Sequence, residues 1–370
     1  MDDLESSGLD TVGSVDADQH VQHPDEQSRE RSARHNRKRT VSRPLIAGIT
    51  VVVVAGAAGA LATFLHKSSS DGGNLVTTAA AAGALKAYWP VHEQALVDGD
   101  LAKLASLDAD SAAEWEKGAV ACGCYHIDEP RPLKSASYLI PKQTAYPAFF
   151  MAEATETYQG VDHVDLLVFT KQNAQESWLV SEESGFSPSV IAASKVAPAA
   201  GNAAAPTAAQ HARATKAAAD LATFWQEAKN NSDLPDANTF DTAGQTGQRL
   251  ASLMASGQDE VQGNGLLGHY TFSASSTDPL FEVTTADGSD LACQPLRESV
   301  VYTPPPGYAV HQDADQHEWG KLLPPGDYAS LTSRDAWQTC FLISPNAQDS
   351  IVVFDSDTGG ATPTGTAIAG

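Results

Sequence analysis

The sequence predicts an α+β ectodomain, made of two tandem helix-then-antiparallel-sheet domains, behind one transmembrane helix. Three observations lead to this prediction. An uncharged apolar segment occupies residues 45–65. Beyond it, helical periodicity gives way to strand-like alternation twice along the chain. An Ala/Pro-rich stretch at residues 187–211 separates these two patterns and is typical of a linker.

Residues 1–44 are predicted to be a disordered cytoplasmic tail. The first 28 contain eight acidic residues and no Lys or Arg, with few apolar side chains to offset the entropy of ordering. Seven Lys and Arg residues then lie between Arg29 and Arg43, a basic block that we expect to contact the anionic inner leaflet. Within it, Thr40 follows Arg37-Lys38-Arg39 and is a candidate phosphosite for a basophilic kinase. The alternative is that the block serves only as a topology signal.

The segment from Leu45 to Leu65 reads LIAGITVVVVAGAAGALATFL and has the length of a membrane span. As a helix it would be about 31 Å long, close to the thickness of a bilayer's hydrocarbon core. Lys67 is the only basic residue among the twenty that follow the segment, whereas seven basic residues precede it. This asymmetry predicts a cytoplasmic N-terminus and extracytoplasmic C-terminal domains at the cell membrane. A signal peptide cleaved near Ala60-Leu61-Ala62 is the alternative. The long apolar core and leader favour an uncleaved anchor.

The net charge of −23 lies mostly after Pro44, because the tail holds seven basic and nine acidic residues. An acidic exterior repels phosphate backbones, so the sequence predicts no nucleic-acid partner.

The first domain is predicted at residues 77–186, after a polar stalk at residues 66–76. Thr77 and Thr78 are candidate N-caps for a helix that carries the segment Leu85-Lys-Ala-Tyr88-Trp89. Pro90 predicts a kink or break in this helix. Two shorter helices follow. Strands are then predicted at Leu133–Ile140, Ala148–Tyr158, Val161–Lys171 and Ser177–Ser184.

The second domain is predicted at residues 212–357, followed by a loose tail at residues 358–370. Its opening helix carries Leu221-Ala-Thr-Phe224-Trp225, which repeats the pattern of the first domain and indicates a tandem duplication. A further helix is predicted at roughly Thr246–Ser256. The predicted strands are Tyr270–Ala274, Leu280–Thr285, Leu291–Thr303, Tyr328–Thr332, Trp337–Ser344 and Ser350–Phe354.

Several short motifs between Leu85 and Trp178 resemble a domain of unknown function. They are the aromatic-Trp helix start, Glu93-Gln94-Ala95, Asp98–Asp100, Ile140-Pro141-Lys142, Pro147-Ala148-Phe149-Phe150, Val168-Phe169-Thr170 and Trp178. The resemblance is to membrane-anchored envelope proteins of high-GC Gram-positive bacteria, the actinobacteria. It implies an exported location and a cystatin-like or nuclear-transport-factor-like α+β fold. The family carries no established activity to transfer.

Four cysteines lie beyond the predicted span, and an even number outside the cytoplasm favours disulfides. Cys293 and Cys340 fall in strand-like segments of the second domain, so we predict a bridge between them. Cys122 and Cys124 are one residue apart and would close a small ring that is easily reduced. They are a local structural disulfide, two thiols that are each bridged to other cysteines, or a thiol-redox site.

Metal ligands and pocket residues are the remaining candidates. His311, Asp313, Asp315 and His317 would share one face of an extended segment and are weak metal candidates in a run flanked by turn residues. A cone-shaped domain can also enclose a pocket with a His/Asp pair. His92 and His163, with Asp162 or Asp165, are the candidates in the first domain. We interpret His92 as a core histidine.

The sequence favours a non-catalytic binding module at the cell envelope, for a protein, a wall polymer or a small ligand. No cofactor is predicted, because Gly263-Asn-Gly265-Leu-Leu-Gly268 matches a dinucleotide fingerprint but precedes a strand instead of a helix. No catalytic residue is predicted, although an enzymatic role stays open. The alternative functions are an envelope thiol-redox factor using Cys122 and Cys124, or a small pocket enzyme.

Overall fold

The computed structural model describes residues 74–123, 125–158, 160–186, 200–231, 240, 267–274, 278–312, 322–346, 351–355 and 363–368, all within one compact unit. The predicted tail with Thr40 and the predicted span from Leu45 to Leu65 lie outside these residues, as does the predicted helix at Thr246–Ser256. None of the helices in the described ranges combines the length and the hydropathy that crossing a membrane requires. The predicted class is confirmed: the described chain is α+β, with antiparallel sheets and few helices.

Three helices open the first half: α1 (Thr78–Asp98), α2 (Leu101–Leu104) and α3 (Asp110–Cys122). The side chain of Thr77 caps α1 by accepting a hydrogen bond from the Ala80 amide at 3.1 Å. Gly99 ends the helix in the left-handed conformation that glycine adopts at no steric cost. The predicted break at Pro90 does not form. Buried side chains on both sides of Pro90 hold α1 against the sheet across that turn.

The first sheet is an antiparallel meander whose strands agree closely with the predicted ones. It contains β1 (Leu133–Pro141), β2 (Ala148–Tyr158), β3 (Val161–Lys171) and β4 (Leu179–Phe186). Residues alternate between its two faces, as the pleat requires. Phe150 and Phe169 face α1, whereas Met151 and Val168 face the second half.

The segment predicted as a linker, residues 187–211, contains structure at its C-terminal end. Strand β5 (Ala200–Ala203) pairs in parallel with β1 and closes that edge of the first sheet. The next helix, α4 (Ala208–Asn231), also begins within this segment. Strand β5 reads AGNA and carries no large apolar residue, so hydropathy alone could not indicate an edge strand there.

The second half places α4 against antiparallel strands in two sheets. The strands are β6 (Leu267–Ala274), β7 (Phe281–Thr284), β8 (Asp290–Cys293), β9 (Leu296–Thr303), β10 (Val310–Gln312), β11 (Gly326–Trp337), β12 (Thr339–Ile343), β13 (Val352–Asp355) and β14 (Thr364–Ala367). One sheet has the order β10-β11-β9-β6, with β14 also paired to β11, and the other has the order β13-β12-β8-β7.

Two strand pairs continue from one sheet into the other, β9 into β8 and β11 into β12. The register of β9 with β11 continues unchanged into the register of β8 with β12. Pro295 lies at the interruption, where it has no amide hydrogen to donate to the ladder. The Gln294 amide bridges the gap by donating to the Thr339 carbonyl oxygen at 3.0 Å. The predicted strand Leu291–Thr303 is therefore formed, with one interruption.

The layers stack as helix, sheet, sheet, helix. The first sheet faces α1 on one side and packs on the other against the sheet containing β7, β8 and β12. Helix α4 covers the far side of that second sheet through Ala214, Ala217 and Ala218. The two halves therefore share a buried core.

The disulfide between Cys293 and Cys340 is confirmed. The two residues lie directly opposite each other on β8 and β12, with their Cα atoms 4.0 Å apart. Both are fully buried in the core between the two halves.

The predicted loose tail also contributes a strand, because β14 pairs with the open edge of β11. Gly365 lies so close to Tyr328 and Leu331 that a Cβ atom there would overlap both side chains. Its small size is what permits this pairing.

Candidate functional site

The face of the first sheet beneath α1 and α3 carries a group of charged side chains that we name the buried acid cluster. Its members come from three helical or loop segments and from three neighbouring strands, and they converge on one face. They are His92 and Glu93 on α1, Asp108 before α3, Glu116 on α3, Arg131 before β1, Glu156 on β2, Asp165 on β3 and Glu183 on β4.

His92 lies at the centre of the cluster and is only 3% exposed. Its Nε2 contacts Glu116 Oε1, and its Nδ1 lies 3.7 Å from Glu93 Oε1. The ring of Tyr88 stacks on the imidazole with a centroid distance of 4.7 Å. Burial opposes protonation of His92, but the hydrogen bonds to Glu116 and Glu93 outweigh it and raise the His92 pKa well above its usual value.

Arg131 binds two of the carboxylates. Its Nε and Nη2 donate to the two oxygens of Glu93 at 2.9 and 2.7 Å, and its Nη1 donates to Glu156 at 2.7 Å. The bidentate contact is among the strongest that a carboxylate makes. Burial works against ionisation of Glu93, yet the contacts with His92 and Arg131 lower its pKa to about 2. The Arg131 backbone is fixed as well, because Trp89 Nε1 donates to its carbonyl oxygen at 2.8 Å.

The environment of four other acids of the cluster, Asp108, Glu156, Asp165 and Glu183, opposes their ionisation. Burial is the largest cause, and it raises the pKa of Asp108 to about 9 and the pKa values of Glu156, Asp165 and Glu183 to about 7. Neighbouring carboxylates contribute in the same direction. The cluster therefore contains six carboxyl groups and only two cationic side chains.

Several carboxyl oxygens of the cluster lack a hydrogen-bond donor among the described residues. They belong to side chains that are between 1% and 8% exposed. A buried polar atom without a partner is costly, so each such atom calls for an explanation. The atoms are Asp108 Oδ2, Glu116 Oε2, Glu156 Oε2 and Asp165 Oδ2.

A β-bulge brings Glu183 into the cluster. Phe169 pairs with Val180 and Val168 pairs with Glu182, so Ser181 is an extra residue in β4. The extra residue turns Glu183 toward α1, on the same face as Val180. The Glu183 amide donates to the side chain of Gln338, so a residue of the second half positions this acid.

Three side chains of the cluster can approach a common point. His92, Glu116 and Glu183 each offer one ligand atom, and these atoms lie within 4.8 Å of one another. The set contains one imidazole nitrogen and two carboxylate oxygens, a donor set that suits divalent transition metals.

The predicted pocket candidates have mixed outcomes. His92 and Asp165 lie in the buried acid cluster. His92 is buried, as interpreted, but it contacts acidic groups instead of apolar ones alone. Asp162 is outside the cluster, and pairs with Lys134 and Thr157 at the surface. His163 contacts the ring of Tyr158.

The other predicted sites fall largely outside the described residues. His311 lies on β10, exposed, with its Nδ1 2.6 Å from Asp327 Oδ1. Asp313, Asp315 and His317 are not among the described residues, so this candidate metal site stays a prediction. Cys122 ends α3, buried and disulfide-bonded, whereas its predicted partner Cys124 lies outside the described residues.

Sequence reasoning missed Glu116, Arg131, Glu156 and Glu183. Glu116 is on the buried side of α3, and helical spacing from Ala112 and Ala119 could have indicated this. Glu183 could not be found by strand alternation, because the bulge at Ser181 changes which residues share a face. Arg131 precedes a strand and carries no local pattern.

Comparison with known proteins identifies one family. A family model described as a domain of unknown function (DUF8094) matches residues 73–319. No curated protein and no solved structure was found that matches the chain. The match extends from the start of α1 past β10, so it is longer than the predicted resemblance from Leu85 to Trp178 and includes all of the buried acid cluster. Because the match covers more than half of the 370 residues, the chain belongs to this family of unknown function.

Proposed function

We propose that this protein is a membrane-anchored, non-catalytic binding protein of the cell envelope, and that its buried acid cluster binds a small cationic ligand. The observation that carries the proposal is the surplus of carboxyl groups over cations in the cluster, with oxygens that lack donors within the described structure. A bound cation would satisfy these oxygens and replace the protons that burial otherwise imposes.

The sequence left a protein, a wall polymer or a small ligand as possible partners, and the burial of the cluster favours one of them. An envelope protein or a wall polymer would need exposed contacts, whereas most of these carboxyl side chains are less than a tenth exposed. This argument favours a small ligand over a macromolecule.

The location rests on the sequence. The uncharged segment from Leu45 to Leu65 and the basic residues before it support a single-pass anchor with the described domains outside the cytoplasm. Addition of protease to intact cells that carry a C-terminal tag tests this location. Loss of the tag is expected, and its survival would contradict the proposal.

The tandem arrangement and the cystatin-like type are part of the same proposal. In each half a long helix precedes an antiparallel meander, and both helices bury their Leu-x-x-aromatic-Trp segment. The continuous register from β9 and β11 into β8 and β12 supports an equivalence between the second-half strand runs and the four strands of the first sheet.

Thermal unfolding of the full-length chain tests ligand binding. The probes are spermidine and ethanolamine as organic cations, ZnCl2 and MnCl2 as metal salts, and citrate as an anionic control. We expect at least one cation to raise the melting temperature of the wild type and to leave the D165N variant less affected. Equal behaviour of cations and citrate would contradict the proposal.

A small pocket enzyme is the second candidate, and one observation favours it. His92 contacts Glu116, and nearby Tyr88 donates to Asp108 at 3.0 Å, so acid and base groups with displaced pKa values lie together. Such an arrangement is typical of general acid–base sites. Turnover of a ligand found by the thermal screen, lost in H92A and retained in H126A, would favour this candidate over simple binding.

A further inference from the structure

We propose that His92, Glu116 and Glu183 together bind a divalent transition-metal ion. This inference rests on the proposed function and names the chemical class of its ligand. The three side chains come from α1, α3 and β4, so binding would connect both helices to the edge strand of the first sheet.

The distances between the ligand atoms suit a metal ion. Zinc binds nitrogen and oxygen ligands at about 2.0–2.2 Å, which places tetrahedral ligand atoms about 3.3–3.5 Å apart. The three ligand atoms lie within 4.8 Å of one another, so small rotations of the side chains would reach this geometry. In particular, His92 Nε2 and Glu116 Oε1 would move slightly apart, with the ion between them.

Unpartnered oxygens give an independent indication of a ligand. Glu116 is 2% exposed and its Oε2 has no hydrogen-bond donor within the described ranges. Asp108 Oδ2 and Asp165 Oδ2 also have no hydrogen-bond donor among the described residues, and their side chains are 4% and 8% exposed. A divalent ion would compensate more of these carboxyl groups than a monovalent ion could.

The surroundings of His92 resemble those of a metal-binding histidine. Such a histidine commonly has its second nitrogen near a carboxylate, which fixes the orientation of the ring. Here Glu93 lies 3.7 Å from His92 Nδ1 and is itself held by two hydrogen bonds from the Arg131 side chain. The stacked Tyr88 ring restrains the imidazole from the side.

Glu183 is positioned from the opposite direction. The bulge at Ser181 turns it toward α1, and the side chain of Gln338 accepts a hydrogen bond from its amide. The second half of the molecule thus contributes to the placement of a ligand in the first half. The donor set of one nitrogen and two oxygens favours zinc, manganese, cobalt or iron over calcium, which prefers oxygen ligands alone.

Cobalt titration of the full-length chain, freed of metal with a chelator, tests this proposal. We expect Co²⁺ to produce visible absorption bands that Zn²⁺ abolishes by displacement. H92A and E183Q should each weaken Co²⁺ binding by more than the roughly 10–100-fold that loss of a supporting residue such as Glu93 costs. The matched controls H126A and E129Q change exposed residues outside the cluster and should bind as the wild type does.

The outcomes separate the two proposals. Binding of Co²⁺ that is unchanged in H92A and E183Q would overturn the metal site. Absence of Co²⁺ and Zn²⁺ binding, with stabilisation by spermidine or ethanolamine, would overturn the metal site and leave the cationic-ligand proposal standing. Absence of any response to metals and amines would overturn both. Circular dichroism of each variant establishes that a loss of binding does not reflect unfolding.

Discussion

Helices α1 and α4 each cover a sheet with a Leu-x-x-aromatic-Trp segment, yet the two contacts bury different chemistry. Beneath α4, Trp225 packs against Trp337 with ring centroids 4.8 Å apart, beside Phe224. Trp337 Nε1 also donates a hydrogen bond to Glu298 there. Beneath α1, Tyr88 and Trp89 donate hydrogen bonds to polar groups as well, but the next turn brings His92 among acids. The same local pattern therefore begins an apolar core in both halves, and only in the first is it followed, one turn later, by a group of several acids.

This difference assigns stability to the contact beneath α4 and a binding role to the acids beneath α1. Apolar burial under α4 stabilises the fold directly. Desolvated carboxyl groups under α1 cost stability unless a partner compensates them, so their presence there indicates a role other than holding the fold together. The comparison predicts that substitutions in the two regions change stability with opposite signs.

The largest effect is expected for Trp337→Ala, because Trp337 is completely buried under α4. Removal of a buried Trp side chain should lower the free energy of unfolding by about 3–5 kcal/mol. Denaturant titration of the full-length chain measures it. Trp115→Ala, at a partly exposed position, is the control and should cost less. Equal losses in the two variants would break the comparison.

Removal of the disulfide with C293A/C340A is expected to be next in size. The bridge closes a loop between residues 47 positions apart, and loss of such a bridge should lower the free energy of unfolding by about 2–4 kcal/mol. The same denaturant titration applies. A variant as stable as the oxidised wild type would contradict the structural role assigned to this disulfide.

Asp165→Asn is expected to act in the opposite direction. Asp165 is 8% exposed and its Oδ2 has no donor among the described residues, so an uncharged amide removes a cost of burial. At pH 8 the variant should gain about 1–2 kcal/mol in the free energy of unfolding. The exposed control E129Q should stay within about 0.5 kcal/mol of the wild type. A destabilised D165N would mean that the carboxylate already has a stabilising partner.

The smallest effect concerns pH and Glu156. Its pKa is about 7 in the folded protein because of burial and the charge of Asp165, and the unfolded value is lower. Between these two values folded Glu156 binds more protons than unfolded Glu156, so its contribution to stability is fully present at low pH and is lost as pH rises toward 7. E156Q should flatten this decline in denaturant titrations from pH 5 to pH 8. An unchanged slope would contradict the assignment.

The strands and helices were largely predictable, whereas only His92 and Asp165 of the site were among the predicted pocket candidates. Ala148–Tyr158 and Val161–Lys171 were predicted with the bounds that the structure has, because alternation and flanking turns define them locally. Pairing of Cys293 with Cys340 followed from the cysteine count and their strand positions. The cluster depends on contacts between distant segments. Arg131 reaches Glu93 and Glu156 only once the sheet has formed, and no local periodicity records that approach.

The sequence also did not predict two strands at the edges of the sheets. Strands β5 and β14 arise from Ala-, Gly- and Thr-rich segments whose composition indicates a linker and a loose tail. Both complete open strand edges, at β1 and at β11. The driving force is the unpaired backbone of the neighbouring strand, which lies outside the segment itself.

The most direct measurement compares the free energy of unfolding of the full-length chain and of E183Q, each with and without ZnCl2. If the acid-lined face is kept for binding at the expense of stability, E183Q should be the more stable protein without metal, and only the wild type should gain from zinc. An E183Q variant that is less stable without metal and gains as much from zinc as the wild type would contradict the account.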